Sequence, residues 1–133
     1  MSSVPKLDHL VLGPTGLWAV LSEDWGAAVD VRRGELVGRG LDAGERPVRE
    51  LAEHARRFGR LARVKVSALV VVVPEGASEL DFVPLGNVRG MPAFLVERPR
   101  LAGLLRNGIE GVGTGGTDLF ELRARIGGAV RYV

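Results

Sequence analysis

Acidic residues at the two open ends of a predicted β-hairpin are the clearest chemical feature of this sequence. Two apolar, β-prone runs, Leu10–Leu12 and Leu17–Leu21, are separated by the turn sequence GPTG. Asp8 precedes the first run, and Glu23 and Asp24 follow the second. Paired strands bring such carboxylates together, and their oxygens are the ligands that hydrolytic enzymes use to hold divalent metal ions. The pattern therefore makes this hairpin a candidate metal site.

The length and composition are those of one folded domain. The chain has 133 residues, of which 46% are apolar and 26% charged, and we expect a single domain over residues 1–133. The absence of cysteine excludes disulfides and thiolate metal sites, and two histidines are too few for a structural zinc site. The most apolar run, Ser67–Val73, is far shorter than a membrane span, and no signal peptide is recognisable. We therefore expect a protein of a bacterial-type cytoplasm that does not contact a membrane.

Basic residues are concentrated in two segments, residues 45–66 and 98–133, although the net charge of the whole chain is only +2. Residues 45–66 carry seven basic and three acidic side chains. Arginine suits phosphate oxygens, so this segment makes DNA a candidate partner. The alternative is an ordinary solvated helix face in an arginine-rich protein. The candidate nucleic-acid-binding residues are Arg56, Arg57, Arg60 and Arg63.

The order of strand and helix patterns predicts a mixed α/β fold. Two short strands, Ala27–Val31 and Glu35–Val37, follow the hairpin, and a helix over Arg46–Arg63 has apolar residues at three- and four-residue spacing. The branched apolar run Ser67–Val73 predicts a central strand that is covered on both faces. We therefore expect a single central mixed sheet flanked by helices.

The last part of the sequence is less regular. We expect strands over Leu80–Val83 and Ala93–Glu97, separated by turns at Gly86-Asn87 and Arg89-Gly90, and a short helix that opens at Pro99 and closes at Asn107-Gly108. The glycine-rich segment Gly108–Gly116 lacks the Lys-Ser/Thr ending of a P-loop, which favours a connector over a phosphate cradle. A final helix is expected over Thr117–Arg125, followed at Val130–Val133 by a terminal strand or a frayed tail.

Residues 7–20, LDHLVLGPTGLWAV, resemble the signature of the nuclease-related domain, known as the NERD family. That signature joins an aspartate-histidine pair, a hydrophobic strand, Gly-Pro, a glycine and a second hydrophobic strand. Trp25, a helix opening at Pro47 and a valine-rich strand follow in the family's order. The resemblance implies the restriction-endonuclease-like fold of the PD-(D/E)XK nuclease superfamily and metal-dependent DNA cleavage. The family's usual N-terminal helix has no counterpart in this sequence.

The positions that carry catalysis in this family are largely replaced. Asp8 matches the family's first metal-binding aspartate, but the next acidic position falls on Leu21 and the family's lysine on Glu23. A glutamine of the family falls on Glu50. Leucine cannot bind a metal ion, and glutamate in place of lysine adds negative charge beside an anionic substrate. The resemblance therefore implies a degenerate, inactive domain without a cofactor, which serves binding or assembly, with nucleic acid as a candidate ligand.

The sequence leaves two alternative functions open. In the first, Asp8, Glu23 and Glu50 together bind Mg²⁺ or Mn²⁺ and support a divergent DNA nuclease, because residues 21 and 23 lie on the same side of an extended strand. Against it, all three acids are typical of strand ends and helix surfaces. In the second, the chain is a purely structural module that binds a partner protein or forms a homodimer.

Three other side chains, His9, Trp18 and Trp25, are of types that often take part in catalysis or ligand binding. His9 is expected to pack at the strand surface rather than act as a catalytic base. Trp18 is expected to pack on one side of the sheet, opposite Leu17 and Ala19. Trp25 is expected to pack at the core or its edge rather than stack on a base, since few aromatic residues are present.

Overall fold

The computed structural model describes residues 9–13, 16–42, 44–108 and 131–132 of the chain. These residues form a mixed six-stranded sheet, a separate two-stranded sheet and two helices, which confirms the predicted mixed α/β class. In chain order the elements are β1 (His9–Gly13), β2 (Gly16–Ser22), β3 (Val29–Arg32), β4 (Glu35–Gly38), α1 (Pro47–Ala62), β5 (Ala68–Val73), β6 (Phe82–Val88), β7 (Met91–Glu97), α2 (Arg98–Asn107) and β8 (Arg131–Tyr132).

The large sheet is organised around three parallel strands. Its order is β6-β7-β5-β2-β1-β8, with β5 parallel to both β2 and β7. The outer strands β1 and β6 are antiparallel to β2 and β7, and β8 is parallel to β1. Every residue of β5 is buried, because helices cover both faces of the sheet at this strand. The continuous branched apolar run predicted this central position correctly.

Side chains alternate between the two faces of the sheet, so each face has its own core. Leu17 and Ala19 of β2 belong to the core beneath α1, whereas Trp18 belongs to the core beneath α2. Trp18 is fully buried and faces away from its neighbours, as predicted from the period of two. Trp25 is half-buried against the α1-side core, which confirms that it packs at the core.

The helices start and stop where the sequence indicates. Proline occupies the first turn of both α1 and α2, where a missing N–H leaves no hydrogen bond unmade. Helix α1 buries Val48, Leu51 and Ala55 against one face of the sheet. Helix α2 buries Leu104 and Leu105 against the other face and ends at Gly108. Within the described residues, the sheet therefore carries one helix on each side.

The strands β3 and β4 differ from the expectation of one sheet, because they pair only with each other among the described strands. Both edges of β2 are already occupied, by β1 and β5, so no ladder is open for β3 to continue a meander. Instead Val29 and Leu36 are buried in the core on the α1 side, and the N–H of Val29 donates to the carbonyl of Ala77. The hairpin is thus a flap packed beside the main sheet.

The predictions for the second half of the chain are partly wrong and partly fall outside the described residues. Gly86-Asn87 is not a turn but lies inside β6, where a bulge between Pro84 and Gly86 lets the ladder with β7 continue. The predicted terminal strand is present as the short β8. The helix predicted over Thr117–Arg125 and nearly all of the Gly108–Gly116 segment lie outside the described residues.

The loops of the hairpins β3–β4 and β6–β7 share an unusual composition. The β3–β4 loop consists of Arg33 and Gly34, with φ values of 54° and 77°. The β6–β7 loop consists of Arg89 and Gly90, with φ values of 53° and 82°. Two positive φ values are typical of a type I′ turn, which favours asparagine, aspartate or glycine at its first position. An arginine there adopts a left-handed conformation that its Cβ disfavours.

We predict that Arg33→Asn raises the free energy of unfolding by about 0.5–1 kcal/mol, because Asn-Gly suits a type I′ turn better than Arg-Gly. Chemical denaturation of both proteins measures the change. The control is Arg32→Asn, one residue earlier inside β3, which should lower stability because asparagine is poorly suited to a strand. Equal effects of the two substitutions would contradict the assigned turn.

Candidate functional site

The acidic residues predicted to bind metal are only partly described by the structure. Asp8 lies outside the described residues. Glu23 is half-buried just beyond the end of β2, and its N–H donates to the carbonyl of Val72 at 3.0 Å. Glu50 is exposed in the first turn of α1. His9 belongs to β1, opposite Val20.

Glu23 and Glu50 lie beside opposite ends of the parallel strands. Glu23 contacts the carboxyl end of β5 through Val72. The first half of α1 lies beside the β6–β7 turn at the amino end of β7, because Arg89 forms an ion pair with Glu53. Among the residues that the structure describes, no three histidine or acidic side chains are grouped so that they could hold a metal ion. Metal binding that involves Asp8 therefore stays a prediction.

Leu21, which the sequence resemblance aligns with an acidic position, belongs to the core. Its side chain is only 8% exposed and packs in the apolar cluster on the α1 side. Its backbone pairs with Val71 of the central strand. A carboxylate at this point would be buried among apolar groups, so the surrounding packing is built for leucine.

The predicted basic face of α1 is exposed. Arg56, Arg57 and Arg60 are on the solvent side of the helix and form no ion pair with other described residues. Arg63 is also exposed and ends the helix in a left-handed conformation, with an N–H that donates to the carbonyl of Gly59. The structure thus brings the four predicted arginines together at the second half of one helix.

A second group of arginines lines a cleft that the sequence did not predict. The cleft has a volume of about 740 Å³ and lies between the β3–β4 hairpin, the start of α1 and the β6–β7 turn. Gly34 holds the hairpin tip close to β6, because a Cβ at this position would lie 2.8 Å from the carbonyl oxygen of Leu85. The arginines that line the cleft are Arg32, Arg33, Arg46, Arg49 and Arg89.

The carboxylate of Glu35 joins the hairpin to the start of α1. One of its oxygens accepts hydrogen bonds from the N–H groups of Leu36 (3.0 Å) and Val48 (2.9 Å), and the other accepts from Arg49 (3.1 Å). Arg46, at the N-cap, makes no side-chain capping bond. Glu35 therefore serves as the cap of α1 from a distant position, and its negative charge also suits the positive end of the helix dipole.

The acidic groups of the cleft are directed mainly at backbone donors. Glu35 caps the helix, and one oxygen of Glu45 accepts the N–H of Asp42 at 2.9 Å. Arg89 is paired with Glu53 outside the cleft lining. The other four arginines form no ion pair with any described residue. With Arg89 balanced by Glu53, the lining has four arginines against the three acidic residues Glu35, Asp42 and Glu45, so its net charge of +1 still favours an anion.

Sequence reasoning missed this cleft for a physical reason. Arg89-Gly90 is predicted as a turn, and Arg33-Gly34 lies between the predicted strands Ala27–Val31 and Glu35–Val37, but nothing local shows that the two segments meet. The available signal was an arginine at the first position of two separate two-residue turns, where asparagine is favoured. Their convergence depends on the packing of the hairpin against β6.

Comparisons with protein-family models, curated proteins and solved structures found no significant match for this chain. Neither of the two described helices combines the length and apolar composition that a membrane-spanning helix needs.

We predict that Glu35→Ala lowers the free energy of unfolding by about 1–2 kcal/mol, because two N–H groups of the first turn of α1 lose their acceptor. Thermal or chemical denaturation measures the loss. Glu50→Ala is the matched control, since Glu50 is an exposed carboxylate in the same helical turn and should change stability by less than about 0.5 kcal/mol. Equal losses would show that Glu35 is not the cap.

An acid at position 21 should damage the fold. Leu21→Asp is expected to lower the free energy of unfolding by about 3 kcal/mol or more, because it buries an unpaired carboxylate and removes apolar packing. Ser22→Asp, at the exposed neighbouring position of β2, is the control and should have little effect. A stable Leu21→Asp protein would mean that this part of the core tolerates a charge.

Proposed function

We propose that this protein is a catalytically inactive binding module for nucleic acid, which it contacts through the arginine face of α1. The observation that carries the proposal is the group of exposed arginines, Arg56, Arg57, Arg60 and Arg63, on one helix. The first three form no ion pair within the described residues, so a nucleic acid would not have to displace an internal partner from them. Their guanidinium groups can contact phosphate oxygens and release the counterions that surround a nucleic acid.

The spacing of charges along α1 supports one continuous basic surface. Positions 49, 53, 56 and 60 recur at three- and four-residue intervals and so share one side of the helix. Glu53 is the acidic residue on this side, and Arg89 neutralises it. Arg49 lines the cleft, so the basic side of α1 continues from the cleft toward Arg60.

The composition of the described surface favours a charged ligand over an apolar protein partner. Among the described residues, the large hydrophobic side chains that are strongly exposed are Leu61, at 80%, and Leu80, at 62%. Two isolated side chains are ordinary on a protein surface and do not make the apolar patch of a stable dimer interface. The homodimer alternative therefore has less support than nucleic-acid binding.

The absence of catalysis is the second part of the proposal. It rests on the burial of Leu21 and on the glutamate at position 23, where the resembled family has a lysine. An attacking water needs a metal ion or a positive group nearby, and a buried leucine beside an acid supplies neither. The resemblance of residues 7–20 to NERD domains supports nucleic acid as the ligand class.

Binding can be tested by fluorescence anisotropy with labelled duplex and single-stranded oligonucleotides between about 50 and about 200 mM salt. Arg56→Gln/Arg60→Gln should weaken binding about tenfold at the lower salt and reduce the slope of log K against log salt by about 2. The control is Arg98→Gln/Arg106→Gln, two exposed arginines of α2 on the other face of the sheet, which should bind as the wild type does.

Two results would overturn the proposal. Nucleic-acid affinity that is absent, or identical in the two double variants, would remove the assigned surface. Cleavage of plasmid or single-stranded DNA that needs Mg²⁺ or Mn²⁺ and disappears in Asp8→Ala would show that the domain is an active nuclease after all.

A further inference from the structure

Two of the arginines that line the cleft lie at hairpin tips, at turn positions where the backbone conformation favours other residue types. Arg33 and Arg89 both have positive φ, and asparagine or glycine would form the same turns with less strain. Both residues nevertheless line one cleft. The guanidinium group of Arg89 has a structural partner in Glu53, whereas Arg33 has no ion pair within the described residues. Strained backbone positions cluster at ligand sites, so Arg33 is the strained arginine that points to a ligand here.

The arginines of the cleft are available to an external anion. Arg32, Arg33, Arg46 and Arg49 have no ion pair within the described part of the chain. Three acidic residues also line the cleft, Glu35, Asp42 and Glu45. The carboxylate of Glu35 already accepts three backbone N–H groups, and that of Glu45 accepts one. A ligand would therefore be held by guanidinium groups, and it would not have to displace an internal partner from them.

Apolar residues form part of the cleft lining, beside the polar residues Asp42, Glu45 and Asn87. Leu36 is buried, and Val37, Leu41 and Val88 are half-buried along the lining. Inorganic phosphate would satisfy the arginines but leave this apolar surface in water. A flat, partly apolar group attached to a phosphate would cover it, and guanidinium planes also stack on such groups.

We propose that the cleft binds one nucleotide unit, with the phosphate on the arginines and the base against Val37, Leu41 and Val88. The volume of about 740 Å³ lies within the range of small-molecule sites and exceeds what a lone phosphate needs. The unit can be a free nucleotide or one nucleotide of a bound strand. Only the second source rests on the proposed function, and it would add a defined pocket to the basic face of α1.

The test is a two-dimensional ¹H–¹⁵N NMR titration of the full chain with deoxyadenosine 5′-monophosphate, inorganic phosphate or a short single-stranded oligonucleotide, at constant ionic strength. We expect the mononucleotide to shift amide signals of the two turns and of residues 35–49. Inorganic phosphate should bind the same place more weakly. The oligonucleotide should shift these signals and also those of the second half of α1.

Arg33→Asn/Arg46→Gln is the informative variant, since asparagine suits the first position of the β3–β4 turn and the fold should persist. Its affinity for the mononucleotide should fall about tenfold through the loss of two charged contacts. Arg98→Gln/Arg106→Gln is the control and should titrate as the wild type does. Unchanged dispersion of the other amide signals shows that each variant is folded.

The outcomes separate the two proposals. Absence of cleft shifts with the mononucleotide, equal affinity for inorganic phosphate, or equal affinity of the cleft variant and the wild type would overturn the nucleotide site. DNA binding through α1 could still hold in that case. Mononucleotide binding in the cleft without any affinity for oligonucleotides would support the site, identify the free nucleotide as its source and overturn the proposed function.

Discussion

The cap that Glu35 places on α1 is the interaction on which the shape of this molecule's candidate site depends. Its carboxylate accepts hydrogen bonds from Val48 and Arg49 and so fixes the tip of the β3–β4 hairpin against the start of the helix. The hairpin shares no ladder with the main sheet, and its buried side chains alone would not fix its orientation at the helix terminus. Because Glu35 already accepts the N–H groups of Val48 and Arg49, the arginine side chains are the positive groups left for an anion in the cleft.

The parts of the fold that sequence could predict are those set by local patterns. The apolar run of β5, the first hairpin and the amphipathic helix α1 each carry their own period, and each is found close to its expected bounds. The separate sheet of β3 and β4 was not predictable in this way, because it follows from the occupation of both edges of β2 by other strands. Gly86-Asn87 was mistaken for a turn because a bulge inside a strand uses the same residues as a turn.

The candidate site likewise has one part that local sequence patterns predict and one part that they do not. The exposed arginines of α1 are neighbours in sequence, so their common face could be predicted from helical spacing alone. The cleft could not be predicted, because Arg33 and Arg89 belong to different hairpins and meet only through tertiary packing. Glu35 has the same property: it lies in a strand, yet its carboxylate caps a helix that begins well after it in the chain. Interactions between distant elements thus define the pocket, and local patterns define the surface beside it.

The position of Leu21 shows that an acid at this point, near the end of the first hairpin, does not suit this fold. This leucine contributes to the core between the sheet and α1, so an acid there conflicts with the packing that holds the helix in place. The arginines of the cleft, unlike Leu21, are exposed and are not part of the core packing. At the two turns, a different residue would fit the backbone better than arginine. Arg49 lies at the cleft and shares the side of α1 that carries Arg56 and Arg60. The pocket and the helix face are therefore two parts of one basic surface. In the proposed function, a bound strand would place one nucleotide in the cleft and its neighbours along α1.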